Sequence, residues 1–471
     1  MRSLGKTMLA MLIGLALAGC SLAPIHATPP APLPADWKPQ DRATAAGSAQ
    51  APRAQDLDWE LFVGDPALRR LIGSALAHNR SLRQTLLDVE AVRARYAIQR
   101  ADRMPGLDLQ LGGSRQRTPA GGVPGVQSAW QAGAAVTAFE LDLFGRVRNL
   151  SQAALEEYLA SEQTSRAARI SLVDEVIRVY LGRDSAIQAR EITQRALASR
   201  EASLQLVERR RQAGVATALD HQQALGLTEQ AKAELERVDR TVRQADNALE
   251  LLTGVAAPEL PAAPAAEPIL VGGLAAGLPS DLLAARPDIA AAEHLLRARN
   301  ASIGAARAAF FPRIALTGSL GSSSTELSDL FSSGGRSWSF APQLSLPIFD
   351  GGRNAANLDL AKVRKEAAVA AYEETVQTAF REVSDALAAV DTLRREEAAR
   401  NALAASSQAA LRLSEARWRA GVDDQLRYLD AQRSAFADRL AAVQAGTEHQ
   451  LALATLFKTL GGGWPAKRNL P

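Results

Sequence analysis

The chain has 471 residues, with 54 basic and 51 acidic side chains and a formal net charge of +3. This near balance leaves no basic field that could hold nucleic acid. The single cysteine, Cys20, excludes an intramolecular disulfide, and the 5% content of aromatic residues excludes large aromatic cores.

The first twenty residues are typical of a bacterial lipoprotein leader. Basic residues precede an apolar run, Met8–Leu17, that is too short to span a bilayer. Residues 17–20, Leu-Ala-Gly-Cys, resemble the lipobox, in which the cysteine becomes the acylated N-terminus of the mature protein. We predict a signal peptide over residues 1–19 and lipidation at Cys20; the alternative is an incidental cysteine after an ordinary signal. Ser21 in place of Asp favours the outer membrane by the same resemblance.

The chain beyond the cysteine changes character near residue 58. Residues 20–58 are rich in Pro and Ala and lack periodicity, which predicts a lipidated N-terminus followed by a tether. A helix is predicted from Pro66 to Arg103, with proline in its first turn. Pro105 and the glycine after it end this helix.

Alternation of apolar and polar residues predicts two strands in each half of the chain. Leu107, Leu109 and Leu111, for example, alternate with polar residues, so each strand has one apolar and one polar face. Glycine-rich segments at 113–128 and 321–335 predict the loops between paired strands. The predicted strands cover residues of about 106–116, 129–143, 312–321 and 336–349.

Very long helices follow each pair of strands. Val147–Ala213 contains no proline and a single glycine, and Arg353–Ala420 contains neither. At about 1.5 Å per residue, each would be roughly 100 Å long, which predicts coiled-coil-like packing. A glycine turn, at Gly214 or Gly421, precedes a returning helix of about half that length. Each shorter helix that precedes a strand pair is predicted to stack end to end with a returning helix.

The two halves repeat one another at a constant offset of 207 residues. Such a repeat indicates two copies of one long unit rather than two unrelated domains. The repeats are predicted at 59–255 and 280–463, joined by a proline-rich linker, 256–279, and followed by a tail, 464–471. The offset relates Leu82, Pro105, Arg146, Gly214 and Gly254 to Ile289, Pro312, Arg353, Gly421 and Gly461.

No catalytic constellation stands out in the sequence. The five histidines show no zinc-ligand spacing, and no nucleophile motif or phosphate-binding loop is present. The many carboxylates are most simply solvated helix faces. We therefore predict no catalytic residues, no metal and no cofactor.

Four strands with two unlike faces cannot close a barrel alone, and open edges would aggregate. A sheet that spans a membrane must close completely, because lipid satisfies no backbone groups. Two chains would give eight strands with a filled interior, whereas three would give twelve with a lumen, polar inside and apolar towards lipid. The alternative is a soluble α+β protein whose four-stranded sheet packs on helices.

Short motifs along the mature chain resemble those of one family. They are Trp59-Glu60-Leu61-Phe62, Glu140-Leu141-Asp142-Leu143-Phe144-Gly145-Arg146, Ala285-Arg286-Pro287-Asp288-Ile289, Pro347-Ile348-Phe349-Asp350-Gly351-Gly352 and Leu429-Asp430-Ala431-Gln432-Arg433. In this combination the chain resembles the outer-membrane factors of tripartite efflux pumps, in the OprM/NodT lipoprotein branch of the TolC family.

The resemblance implies a mainly α-helical fold with a transmembrane β-barrel part. It implies a homotrimer with a twelve-stranded barrel among outer-membrane lipid, continued by a helical tunnel through the periplasm. It also implies a periplasmic adaptor and an inner-membrane transporter of the RND type as partners. The chain would then be a passive exit duct and no enzyme. The alternatives are a duct of the same shape for type I protein secretion and a non-conducting periplasmic coiled-coil scaffold.

Leu426, Asp430 and Arg433 stand at i, i+4 and i+7, and so form one helical stripe. The resemblance places this stripe at the narrow periplasmic end of the tunnel, facing its axis. Three-fold symmetry would turn each residue into a ring, and a ring of Asp430 would bind cations and narrow the pore. The alternative is an ordinary exposed ion pair, worth a few tenths of a kcal/mol.

Acidic residues near the glycine turns are further gate candidates by resemblance. In TolC, a basic residue after the second tip glycine pairs with an acid at the position of Asp220. Here the matching residue is Asp423, so that bridge is not expected, and Asp423 and Asp424 are predicted to form an acidic mouth. The tips themselves are implied to contact the adaptor through Gly214, Val215, Gly421 and Val422.

Overall fold

The computed structural model describes most of the chain after the predicted leader. Cys20, most of the predicted tether and the C-terminal tail lie outside the described residues. The chain divides into two units, here called the sheet unit (residues 1–30, 87–163 and 290–374) and the helical unit (residues 31–86, 164–289 and 375–471). The described residues are 21–30, 34, 36–38, 57–117, 126–256, 258–260, 269–277, 279–332 and 334–462.

The sheet unit contains a four-stranded antiparallel sheet in which the strands are paired in chain order. Three strands reach further into the predicted loops than expected, because glycines predicted to form turns instead pack in the sheet. At Gly321, for example, which lies in a segment predicted as a loop, a Cβ atom would collide with the backbone carbonyl oxygen of Ala132 on the neighbouring strand. The strands are β1 (Asp108–Arg117), β2 (Val126–Leu141), β3 (Arg313–Ser324) and β4 (Arg336–Ser345).

The strand register separates the side chains into two faces, because directly paired residues share a face. One face is apolar and exposed in the single chain, and it includes Leu109, Leu320 and Trp338. The other carries amides and hydroxyls, among them Gln110, Gln131, Ser319, Ser339 and Gln343. Strands β1 and β4 form the two edges of this sheet.

A cluster of ionic contacts lies where the sheet passes into the long helix. Glu140, near the end of β2, accepts two hydrogen bonds from the Arg146 guanidinium, at 2.8 and 2.7 Å. Arg313, at the start of β3, lies 2.6 Å from the same carboxylate. This bidentate geometry fixes the first turn of the helix relative to two strands.

Helices make up the rest of the described structure, and two of them are 67 residues long. Among the described residues, none of the helices has an apolar stretch sufficient to cross a bilayer. The helices are α1 (Trp59–Phe62), α2 (Pro66–His78), α3 (Arg80–Ala101), α4 (Arg146–Gln212), α5 (Ala218–Thr253), α6 (Leu282–Ala285), α7 (Pro287–Ala308), α8 (Arg353–Arg419) and α9 (Gln425–Thr459).

The prediction of one helix from Pro66 to Arg103 is wrong at Asn79, where α2 ends and α3 begins. The Asn79 side-chain amide donates to the carbonyl oxygen of Leu252, 2.8 Å away at the end of α5, and its oxygen accepts from the Leu82 amide. The break therefore has a tertiary cause, since Asn79 caps one helix and also bonds the terminus of another.

The second half repeats this junction. Arg286 stands 207 residues after Asn79 and donates, at 3.0 Å, to the carbonyl oxygen of Thr459, which stands 207 residues after Leu252. Gly254 and Gly461 follow the two returning helices with φ of +66° and +96°, a conformation that favours glycine. In both halves, the last turn of the returning helix thus accepts a hydrogen bond from the residue that precedes a shorter helix.

The helical unit has the larger apolar core. Phe62 stacks on Phe457 with ring centroids 4.1 Å apart, and buried residues of α2, α4, α5, α8 and α9 surround this pair. Trp37, in the segment predicted as a tether, is also buried in this core and stacks on Phe380. The indole nitrogen of Trp37 donates to the carbonyl oxygen of Gly277 at 2.7 Å. The predicted tether is therefore fixed to the helical unit at this residue.

Candidate functional site

The two glycine turns of the helical unit have the same geometry. Gly214 and Gly421 have φ of +75° and +73°. The amide of the next residue reaches back to close the helix, from Val215 to the Arg210 carbonyl and from Val422 to the Arg417 carbonyl, each at 2.9 Å. This pattern satisfies carbonyls at a helix terminus and demands a left-handed residue, which explains both glycines. We call these turns the first and second tips.

The first tip is closed by a capping box. The Asp220 carboxylate accepts from the backbone amide of Thr217 at 2.8 Å and from its hydroxyl at 2.7 Å, while the Thr217 hydroxyl accepts from the Asp220 amide. Asp220 is therefore engaged in starting α5. Next to it, hydrogen bonds from Arg211 and Gln212 lower the pKa of Glu208 to about 2, so this carboxylate remains charged at neutral pH.

The two acids of the second tip are also held locally. Asp423 forms a double contact with Arg417, at 2.6 and 3.0 Å, and this hydrogen bonding lowers the pKa of Asp423. Asp424 is the N-cap of α9 and accepts from the Arg427 amide at 3.0 Å. The two carboxylates predicted to form an acidic mouth therefore stabilise the glycine turn through local hydrogen bonds.

Leu426, Asp430 and Arg433 share one exposed stripe of α9. Leu426 is 58% exposed, and the side chains of Asp430 and Arg433 are 59% and 61% exposed and form an ion pair with each other. Within one chain this pair has the i,i+3 geometry of an ordinary surface contact.

The opposite face of α9 is buried in a polar cluster that sequence reasoning missed. Tyr428 stacks on Trp418, with centroids 4.7 Å apart, and its hydroxyl lies 3.2 Å from the Ser203 hydroxyl of α4. Gln432 donates to the Tyr428 hydroxyl at 2.7 Å. Tyr428 and Gln432 are four residues apart on a helix, so the spacing was visible in the sequence, but Ser203, 225 residues away from Tyr428, was not.

This cluster orients the exposed stripe. Because α9 is fixed to α4 by buried hydrogen bonds on one side, Leu426, Asp430 and Arg433 must present the other side. No group of three or more His, Cys, Asp or Glu side chains that could hold a metal ion occurs within the described part of the chain.

The comparison with protein families decides the identity of this architecture. The family of outer membrane efflux proteins matches residues 71–255 and again residues 278–462. The chain belongs to the outer membrane efflux protein family. The two matches follow the two repeats, whose helix junctions are formed by the contacts of Asn79 and Arg286.

Relatives and solved structures agree with this assignment. The chain is 57% identical over 467 residues to the outer membrane protein OprJ of Pseudomonas aeruginosa, covering 98% of this chain and 96% of that protein. It is 43% identical over 457 residues to the toluene efflux pump outer membrane protein TtgC of Pseudomonas putida, covering 95% of this chain and 93% of the relative. The open-state MtrE channel of Neisseria gonorrhoeae superposes with a TM-score of 0.86 at 41% identity, covering 94% of this chain and 98% of MtrE.

Membership of this family assigns a role and a location to the sheet and the long helices. The family forms trimeric outer-membrane channels that carry efflux, and this chain is such a transport duct rather than an enzyme. Its location is the outer membrane, with the tunnel in the periplasm. The apolar sheet face fits lipid contact, and this surface disfavours both the soluble α+β alternative and the periplasmic scaffold.

Proposed function

We propose that this channel is the exit duct of a tripartite pump and receives its cargo from a periplasmic adaptor and an inner-membrane transporter of the RND type. The pair of matching tips carries the proposal. Each tip ends a 67-residue helix and exposes a valine, Val215 at 67% and Val422 at 63%. Two equivalent exposed apolar turns per chain suit a repeated docking contact.

The partners also supply what this chain lacks. The sequence has no phosphate-binding loop, so the energy of transport comes from the inner-membrane transporter. That transporter selects the cargo, and the duct conducts passively. Because TtgC is described as part of a toluene efflux pump, we propose small apolar molecules, drugs among them, as the cargo class here.

The exposed stripe of α9 serves as the periplasmic gate in this proposal. In a trimer Leu426, Asp430 and Arg433 each occur three times, and a ring of Asp430 narrows the passage and attracts cations. Asp220, Asp423 and Asp424 act one step behind this ring, because their bonds to Thr217, Arg417 and Arg427 set the turns from which α5 and α9 start. Type I protein secretion remains the competing duct function, and deletion of the gene separates the two by the cargo that fails to leave the cell.

Lipidation at Cys20 completes the proposal. Acyl chains contribute about 0.8 kcal/mol per buried methylene, so several chains hold a protein firmly to a membrane. The lipobox resemblance and the outer-membrane location support this modification.

The tips offer a direct test of adaptor docking. We expect Gly214→Ile with Gly421→Ile to leave trimers in the membrane but to lower drug resistance towards that of a deletion strain, because a β-branched residue resists the left-handed conformation. The matched control is Gly182→Ile with Gly226→Ile, since these helical glycines have no positive φ and open space around them. Full resistance in the tip variant, at normal trimer yield, would contradict the docking role.

A further inference from the structure

Part of the segment predicted as a tether contacts helices of the sheet unit. Residues 21–30, here called the strap, run along helices α4 and α7. The Ser21 hydroxyl donates to the Asn149 side-chain oxygen at 3.0 Å. The guanidinium of Arg307 donates to the carbonyl oxygen of Leu22 at 3.1 Å. The strap therefore begins with contacts to both helices, immediately after Cys20 in the sequence.

Further contacts follow along α7. The Asn300 amide donates to the carbonyl oxygen of Pro24 at 2.8 Å, and Thr28 donates to Glu293 at 3.2 Å. The α7 contact residues 293, 300 and 307 recur every seven residues and thus lie on one face of the helix. Asn300 is buried, and a buried amide without such a partner would cost about 1–3 kcal/mol. The hydrogen bond from the Asn300 side chain to the Pro24 carbonyl therefore stabilises the contact between α7 and the strap.

The strap also packs closely against Gly304, on the same face of α7. A Cβ atom at this position would lie 2.8 Å from both the Cα and the Cβ of Ala23, and 2.5 Å from the Asn149 amide nitrogen. Distances this short require glycine, so any larger residue must push the strap away or displace Asn149. Gly226 also lies inside a helix, but a Cβ atom added there would have no neighbouring atom within 4 Å.

We propose that the surface formed by α4 and α7 is a docking site for the N-terminal segment of the chain itself, and that it fixes the lipid-bearing end to the sheet unit. The role of the strap is to make the lipid anchor and the channel wall enter the membrane together. Strap docking stands on the contacts of residues 21–30 alone, whereas its role in assembly rests on the proposed lipidation of Cys20.

Docking is measured by the mobility of a spin label on the strap. Ile25 is 95% exposed, so a nitroxide on Ile25→Cys points away from the seat without disturbing it. We expect the spectrum to show slow motion of the label in the otherwise unchanged protein and in the control Gly226→Leu. In Gly304→Leu we expect a component of fast label motion to dominate. A slow spectrum in correctly assembled Gly304→Leu trimers would overturn the docking site. If that variant fails to fold, Ala23→Leu produces the same clash from the strap side and leaves α7 unaltered.

The assembly role has its own readout. We expect Gly304→Leu to lower the yield of heat-stable trimers several-fold in the lipidated protein and to cause no further loss in a Cys20→Ala background. Equal trimer yield with a mobile strap would overturn the coupling between strap and anchor. Incorporation of radioactive palmitate tests the lipidation of Cys20 separately. If the unchanged protein incorporates no palmitate, both lipidation and the coupling between strap and anchor are refuted, while the mobility of the spin label still decides docking.

An unacylated Cys20 would also react with the spin label. Mass spectrometry therefore establishes whether each chain carries one label, at position 25, or a second one at Cys20.

Discussion

The exposed pair Asp430 and Arg433 is where the gate proposal is most specific. In a ring of three chains, removing Asp430 eliminates three negative charges from a narrow passage, where field lines concentrate. Removing Arg433 takes three long side chains from the same stretch of the passage, which widens it. Asp430→Ala with Arg433→Ala should therefore raise the single-channel conductance and reduce cation preference, and make cells leaky to large antibiotics.

A matched control distinguishes the gate from an ordinary surface pair. Glu229 and Lys232 form an exposed i,i+3 pair on α5, with side-chain exposures of 58% and 49%. Replacing both by alanine removes a contact of the same spacing, worth a few tenths of a kcal/mol. If the Asp430 and Arg433 double variant conducts like this control, with the same ion selectivity, the gate assignment fails.

We expect strap docking to depend on pH through His26. Burial is the main cause that lowers the pKa of His26 below its ordinary value of 6.5, and Arg297 on α7 and Lys365 on α8 add to it. Glu293 on α7 and Glu156 on α4 act in the opposite direction. The buried Nε2 atom has no hydrogen-bond partner among the described residues. A neutral His26 therefore favours the docked strap.

The direction of the pH effect follows from this lowered pKa. When undocked, His26 takes up a proton below pH 6.5, but when docked it does so only at a lower pH. The docking stability is therefore complete above pH 6.5 and decreases as the pH falls towards the lowered pKa. Spin-label mobility at position 25 should rise on acidification, and His26→Gln should remove this dependence. Equal pH dependence in both proteins would assign the effect to other groups.

At the scale of elements, the repeated helix junctions should differ in strength. Asn79→Ala removes a cap and should lower stability by about 1 kcal/mol. Arg286 instead bonds Thr459, Asp288 and Glu382, so Arg286→Ala removes hydrogen bonds to charged groups and should cost about 2 kcal/mol or more. Thermal midpoints of the two variants measure this order. A larger loss for Asn79→Ala would contradict the energetic role assigned to the Arg286 contacts.

The bounds of the two long helices were predictable from the sequence to within one residue. They contain neither Pro nor, with one exception, Gly, and the repeat supplies each boundary twice: Arg146 and Arg353 begin helices of equal length. The strand alternation likewise predicted which residues share a face. The assignment of each strand side chain to the polar or the apolar face of the sheet follows directly from the period of two.

The misses have a common physical origin in partners that are distant along the chain. The break at Asn79 depends on Leu252, and the late end of β3 at Ser324 depends on pairing with residues 130–132 of β2. The strap contacts residues more than 120 positions away, such as Asn149 and Asn300. No local periodicity indicates these contacts, so composition alone predicted a tether.

At the scale of the whole molecule, the single chain is incomplete. It leaves an apolar sheet face exposed and two strand edges, β1 and β4, that pair on one side only. Within lipid, unpaired edges would leave backbone groups unsatisfied. Association of three chains joins the β1 edge of one to the β4 edge of the next, and the amide- and hydroxyl-bearing face then lines the lumen.

Single-channel recording in planar lipid bilayers tests the central claim, that three such chains form a passive duct with its constriction on α9. Purified trimers should give discrete conductance steps without any energy source, and the Asp430 and Arg433 double variant should give larger steps than the Glu229 and Lys232 control. The absence of steps in both the unchanged protein and the double variant, at normal trimer content, would contradict a conducting duct.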